Sequence, residues 1–182
     1  DYALTALEQR YDGFTAALRD DREAMLARTT TEDIPFLYWA GASWAAALGV
    51  AKDDPQLIAE FPIAGALVRR VIELDPAWDE GAAHEFFISY EAGRPGGSHA
   101  AAREHFEQAL ELSEGARASV YLALAESVAV PEQDVQLFRD LLARAQAVDA
   151  DARPDLRLAN TIAQRRANWL EEQIPELFLV TE

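Results

Sequence analysis

Several stretches of this sequence carry residue types that do chemistry in other settings. His84-Glu85-Phe86-Phe87-Ile88 opens as a zinc-binding helix does. Isoleucine, however, stands where a second histidine would complete the i, i+4 pair, so no metal is expected. Gly41-Ala42-Ser43-Trp44-Ala45 holds half of a nucleophile elbow. The second glycine is missing, and the run continues a helical pattern instead of leaving a strand. The loop from Gly93 to Ser98 is rich in glycine but has no lysine to reach a phosphate. There is no cysteine, which removes thiolate nucleophiles, disulfides and Cys-ligated zinc. The three histidines, His84, His99 and His105, are scattered and read as structural. No catalytic constellation emerges, no cofactor is called for, and the chain reads as a non-enzyme.

What remains is a set of aromatic and polar residues grouped by segment. Tyr38, Trp39 and Trp44 share one, and His84, Glu85, Phe86, Phe87 and Tyr90 share another. Tyr121, Glu126 and Ser127 lie on a third; Asn160, Gln164, Arg165 and Trp169 lie on the last. Two readings are open for them. They pack the core, or some line an apolar cavity in which a few polar groups set orientation. Glu126 sits inside the apolar run VYLALAESVAV, where a buried carboxylate needs a partner. Arg165 or Arg166 could supply it.

The elements that must position these residues are helical. Composition is that of a globular chain: 182 residues, half of them hydrophobic and 26% charged, enough for one domain with a core. Acidic residues number 32 against 16 basic, a net charge of −16, with no basic patch. That excludes nucleic acid as a partner and disfavours an anionic membrane surface. No run approaches the roughly 20 apolar residues of a membrane span. The chain opens at Asp1 directly on a helical pattern, which suggests a mature or trimmed form without its leader.

Apolar residues recur at helical steps throughout. Leu4, Leu7, Tyr11, Phe14, Leu18 and Met25 predict one helix over 2–28, broken at Thr29-Thr30-Thr31. Further helices are expected over 35–50, from Asp53-Asp54-Pro55 onward, and over 62–74 and 81–92. Ser98 should N-cap a helix over 99–112. Helices over 116–129, 131–148 (opened by Pro131) and about 154–173 complete the pattern. Ala64, Val68, Val71 and Pro76 recur in offset as Ala102, Phe106, Ala109 and Glu114, and again as Phe138, Leu142, Ala145 and Ala150. The spacing matches the second helix and turn of a tetratricopeptide repeat. The expected fold is therefore all-α, an array of about three antiparallel helix pairs plus capping helices. As a single domain over 1–182 it divides into an N-terminal helix (1–34), three pairs (35–152), and a capping helix with tail (153–182).

Four ordered runs carry a family resemblance: YWAGASWAAALGVAKDD (38–54), ELDPAWDEGAAHEFFISYEAGRPGG (73–97), REHFEQALELSEGARASVYLALAESVAVPEQD (103–134) and RLANTIAQRRANWL (157–170). Over roughly 35–172 the chain resembles the T-components of tripartite ATP-independent periplasmic (TRAP) transporters, the TatT-like proteins; 1–34 match only as generic helix. The resemblance implies a lipid-anchored periplasmic protein, its anchor on an N-terminal segment not in this chain. It implies a homotrimer with a pore through each protomer. It also implies a P-type substrate-binding subunit as partner, to which a hydrophobic small ligand is delivered. The matching ligand or pore candidates are Trp39, Trp44, Lys52, His84, Glu85, Phe86, Tyr90, Tyr121, Glu126, Ser127, Asn160, Gln164, Arg165, Arg166 and Trp169. The family supplies no catalytic role for any of them. The alternative reading is a protein–protein scaffold in another envelope or membrane complex. An enzyme would need turnover that depends on Glu126 or His84.

Overall fold

The computed structural model describes residues 2–50 and 58–179, and the side chains of all of these but 48–50. Lys52 and Asp53-Asp54-Pro55 lie outside the described residues. Among those described, every regular element is helical. The chain divides into two compact units, Asp1–Asp79 and Glu80–Glu182.

In unit 1 the single helix expected over 2–28 is three: α1 (Tyr2–Arg10), α2 (Phe14–Asp20) and α3 (Arg22–Ala27). Two local causes break it. Gly13 takes φ 74°, a left-handed conformation that ends α1 and costs glycine little. Asp21 then accepts from the Ala24 amide and caps α3. Next come α4 (Ile34–Val50) and α5 (Phe61–Leu74). Leu7, Phe14, Leu18, Leu37, Leu67, Val68 and Val71 are fully buried and form the interior. The approach of α4 to α5 is set by Gly41. A Cβ there would stand 2.6 Å from Val68 Cγ2 and 2.8 Å from the Ala64 carbonyl oxygen. The half-elbow glycine is thus a packing residue.

A polar knot ties α1 to the start of α4. Asp33 is fully buried and accepts from Tyr11 Oη at 2.6 Å and from the Thr30 amide at 2.9 Å. Arg10 Nη1 lies 3.0 Å from Asp33 Oδ1 as an ion pair, without aligned hydrogen-bond geometry. Burial raises the Asp33 carboxyl, but the bonds from Tyr11 and Thr30 and the Arg10 charge outweigh it and hold it below the ordinary range.

Unit 2 holds α6 (Ala82–Gly93), α7 (His99–Leu112), α8 (Ala118–Leu124, continued by a π turn over Ala125–Ala129), α9 (Val135–Ala147), α10 (Arg157–Glu172) and the single turn α11 (Ile174–Leu177). Successive helices pack in pairs, α6 on α7 and α8 on α9, with α10 against both α8 and α9. Short connections between packed neighbours make them antiparallel. Ser98 caps α7 as expected, accepting from the Ala101 amide at 3.1 Å. The helix expected from Pro131 begins instead at Val135, because Asp134 caps it by accepting from the Leu137 amide at 2.9 Å. The repeat offsets hold across α5, α7 and α9: Ala64, Val68, Val71, Ala102, Phe106, Ala109, Phe138, Leu142 and Ala145 are all buried.

Candidate functional site

Unit 1 presents an apolar groove of about 790 Å³, open to solvent, between the start of α1 and one face of α4. α4 is apolar on nearly every side. Leu37, Ala40 and Gly41 turn inward. Pro35, Phe36, Trp39, Ser43 and Trp44 line the groove, closed from the other side by Tyr2 and Leu4. Trp39 is 61% exposed and stands edge-on to Tyr38 at 5.3 Å. Trp44 is half-buried, and its indole N–H donates to Glu60 Oε2 at 3.1 Å. Arg19 donates to the other oxygen of Glu60 at 2.8 Å, so the indole is held by a carboxylate that is itself fixed. Ser43 donates back to the Trp39 carbonyl at 2.6 Å, an intrahelical bond. The groove therefore offers aromatic surface with one anchored polar edge. Sequence reasoning did not single out Tyr2, and Leu4 entered it only as one position of the helical period over 2–28.

In unit 2 the candidate residues fall into separate settings. His84 is buried on α6, and its Nδ1 stands 3.0 Å from Nδ1 of His105 on α7. One ring nitrogen must carry the proton while the other accepts it. His105 stacks on Phe87 at 4.9 Å. Two histidines read as scattered are thus brought together by the antiparallel pairing of α6 and α7. Phe86 and Tyr90, half-buried, stack at 5.4 Å, and both stand edge-on to buried Phe87. Tyr121 is buried beneath the Arg144 guanidinium, 4.7 Å above its ring.

Glu126 pairs with Arg166, which donates to its two oxygens at 3.0 and 3.3 Å. Of the two partners expected, Arg166 is the one the fold supplies. The π turn keeps Ala125, Val128 and Ala129 buried but turns Glu126 and Ser127 toward the surface. Glu126 is therefore not the enclosed carboxylate that its apolar context suggests. Ser127 donates to Ser89 at 2.9 Å. Arg166 also lies 4.4 Å above the Trp169 ring, and Trp169 is 46% exposed. Arg165 is exposed and makes no ion pair among the described residues.

Two candidates bond to backbone groups of neighbouring helices. Gln164 donates to the carbonyls at the end of α9, most closely to Val148 at 2.6 Å, and so caps that helix. Asn160 is buried, accepts from the Ala118 amide at 3.0 Å and donates to the Ala116 carbonyl at 2.9 Å, holding the start of α8. Among the described residues no group of three metal-ligating side chains converges.

The family model described as "TRAP transporter T-component" matches residues 1–178. It extends through 1–34, the part that sequence blocks left as generic helix. A protein of Treponema pallidum (strain Nichols), described as uncharacterized, is 28% identical over 98% of this chain. The chain spans 57% of that relative's length.

Proposed function

Since the chain belongs to the TRAP transporter T-component family, an accessory subunit of transport, we propose that it holds a hydrophobic small ligand in the groove of unit 1 and passes it to a P-type substrate-binding subunit. In this reading it acts without catalysis, in the periplasm, as a lipid-anchored trimer. The observation that carries it is the open apolar groove of about 790 Å³ at Trp39 and Trp44. That volume falls in the size range of small-molecule sites, and its polar group is an indole N–H already held by Glu60. Affinity would then come from burying apolar ligand surface, roughly 25 cal/mol for each Å² removed from water. Selection would follow shape more than charge. No described helix is long and apolar enough to cross a membrane.

The test is saturable binding of N-phenyl-1-naphthylamine, a neutral apolar fluorophore, to the purified chain. Trp39→Ala and Trp44→Ala should each weaken it about tenfold, the 1.4 kcal/mol step that loss of one aromatic wall represents. Absence of binding, or binding indifferent to both substitutions, sinks the reading.

A further inference from the structure

The groove of unit 1 is walled by apolar and aromatic side chains, and among the described residues none that lines it is charged. A charge stands directly behind the wall. Glu60, the residue before α5, is not part of the lining, yet its carboxylate accepts from the Trp44 indole N–H at 3.1 Å. Its other oxygen accepts from Arg19 on α2 at 2.8 Å. The carboxylate bonds to the wall itself, and the guanidinium reaches the wall only through that carboxylate. The Glu60 side chain is 25% exposed and that of Arg19 is 52% exposed, so the negative group is the more enclosed of the pair. Glu60 does not cap α5 with its side chain, so helix formation does not account for it. What the carboxylate does hold is the half-buried indole donor. Trp39 and Tyr2, the other lining residues with a donor on a ring, stand mostly in water at 61% and 97% exposure.

We propose that Glu60 determines the chemical class of ligand that the groove accepts: neutral apolar molecules enter, and organic anions are kept out. Two effects of one side chain combine. Glu60 occupies the indole N–H that would otherwise donate to a ligand's carboxylate or sulfonate. It also puts a negative charge behind a wall that offers an entering anion no cation. An anion moved from water into such a place loses its hydration and gains no partner, which is costly. The net charge of −16 acts in the same direction. Shape then chooses among neutral ligands, and Glu60 sets the class from which it chooses. Glu60 acts through Trp44 and does not touch the ligand, so it is a positioning and specificity residue. The inference rests on the reading of this groove as a ligand site.

The experiment compares two dyes with one skeleton. N-phenyl-1-naphthylamine is neutral, and 1-anilinonaphthalene-8-sulfonate is the same molecule with an anionic group added. Signal that survives Trp39→Ala lies outside the groove and is subtracted for both. The parent chain should hold the neutral dye at least about tenfold more tightly, because the sulfonate is left unpaired. Glu60→Gln removes the charge but keeps an oxygen to accept from the indole. It should leave the neutral dye within about twofold of the parent and narrow the ratio at least about fivefold. Glu60→Ala also frees the indole N–H, so the ratio should narrow further while the neutral dye weakens as Trp44 loses its anchor. Arg19→Gln leaves the carboxylate unbalanced and should widen the ratio. A merely structural role for the pair would move both dyes together and leave the ratio alone. Equal affinity of the parent for the two dyes overturns the proposal, and so does a ratio unchanged by Glu60→Gln. In both cases the neutral dye still binds and the ligand reading stands. No binding of the neutral dye to the parent, as when another stretch of polypeptide fills the groove, overturns both.

Discussion

α4 of unit 1 and the interior of unit 2 use the same residue class in opposite ways. Unit 1 turns tryptophans outward along α4, where Trp39 and Trp44 wall an open groove. The paired helices α6 to α9 of unit 2 turn Phe87, Phe106, Tyr121 and Phe138 inward, all buried, although Trp169 on α10 stays exposed. Both sets sit on helices of packed pairs, so residue type and segment alone do not separate cavity wall from core. What separates them is whether the neighbouring helix fills the space. In unit 2, His105 covers Phe87 at 4.9 Å and Phe178 meets Phe138 at 5.0 Å. In unit 1 the start of α1 approaches α4 but leaves the groove between them unfilled.

The sharpest way to break the comparison is to empty unit 2. Phe138 is fully buried, so Phe138→Ala should cost about 3–5 kcal/mol, the usual loss for a core phenylalanine. Urea unfolding followed by circular dichroism reads it. Trp39→Ala should lie within about 0.5 kcal/mol of the parent, as exposed substitutions do. Similar losses at the two positions would mean that Trp39 is core after all.

A smaller effect is expected where unit 1 is tightest. Gly41→Ala pushes a methyl group into Val68 and the Ala64 carbonyl. Overpacking of this kind costs about 1–3 kcal/mol. It should also change naphthylamine binding, because α4 carries the groove wall. Loss of stability with unchanged dye binding would mean that the groove does not depend on the position of α4.

Asn160→Ala tests a different support. It removes the acceptor for the Ala118 amide and the donor to the Ala116 carbonyl, both at the start of α8. Leaving buried backbone groups unsatisfied costs about 1–3 kcal/mol. Glu126→Gln, by contrast, weakens a half-exposed pair and should move stability by less than about 1 kcal/mol.

These contrasts also mark how far the sequence could be read. The second helices of the pairs were legible because α5, α7 and α9 are amphipathic. Their buried positions, such as Ala102, Phe106 and Ala109, repeat at fixed offsets. α4 was not legible in the same way. An apolar helix gives no period to say that Leu37 points in and Trp39 out. The breaks at Gly13 and Asp21 were hidden by an apolar period that runs through both. The partner of Glu126 was narrowed to two adjacent arginines, and only the rotation of α10 decides for Arg166. For Asn160 and Gln164 the sequence does not tell a helix-holding amide from a ligand-binding one, because the group is the same. Their backbone partners lie on α8 and α9, distant in sequence, and no local spacing reveals them.

The smallest expected effect concerns charge on the surface of unit 2. Arg103 donates to both oxygens of Glu132, and His99 Nδ1 lies 2.9 Å from one of them. Arg103, with His99 assisting, holds the Glu132 carboxyl down to about 2 from an ordinary 4.5. A carboxylate lowered on folding adds stability that is fully present above its unfolded pKa and disappears as pH falls through its folded one. The contribution is thus present above about pH 4.5 and lost between there and about pH 2. Both partners are about a third exposed, so solvent screening keeps it under roughly 1 kcal/mol. Arg103→Gln should raise the Glu132 pKa toward its ordinary value and flatten acid unfolding over that window, with no change at pH 7 beyond the same small loss. Asp33 in unit 1 is depressed for a different reason, through bonds from Tyr11 and Thr30 made inside the protein. Added salt should therefore weaken the Glu132 contribution and leave that of Asp33 in place, since buried interactions are screened far less than exposed ones. Equal sensitivity to salt at the two carboxylates, followed by NMR titration, would place Asp33 at the surface and undo the contrast.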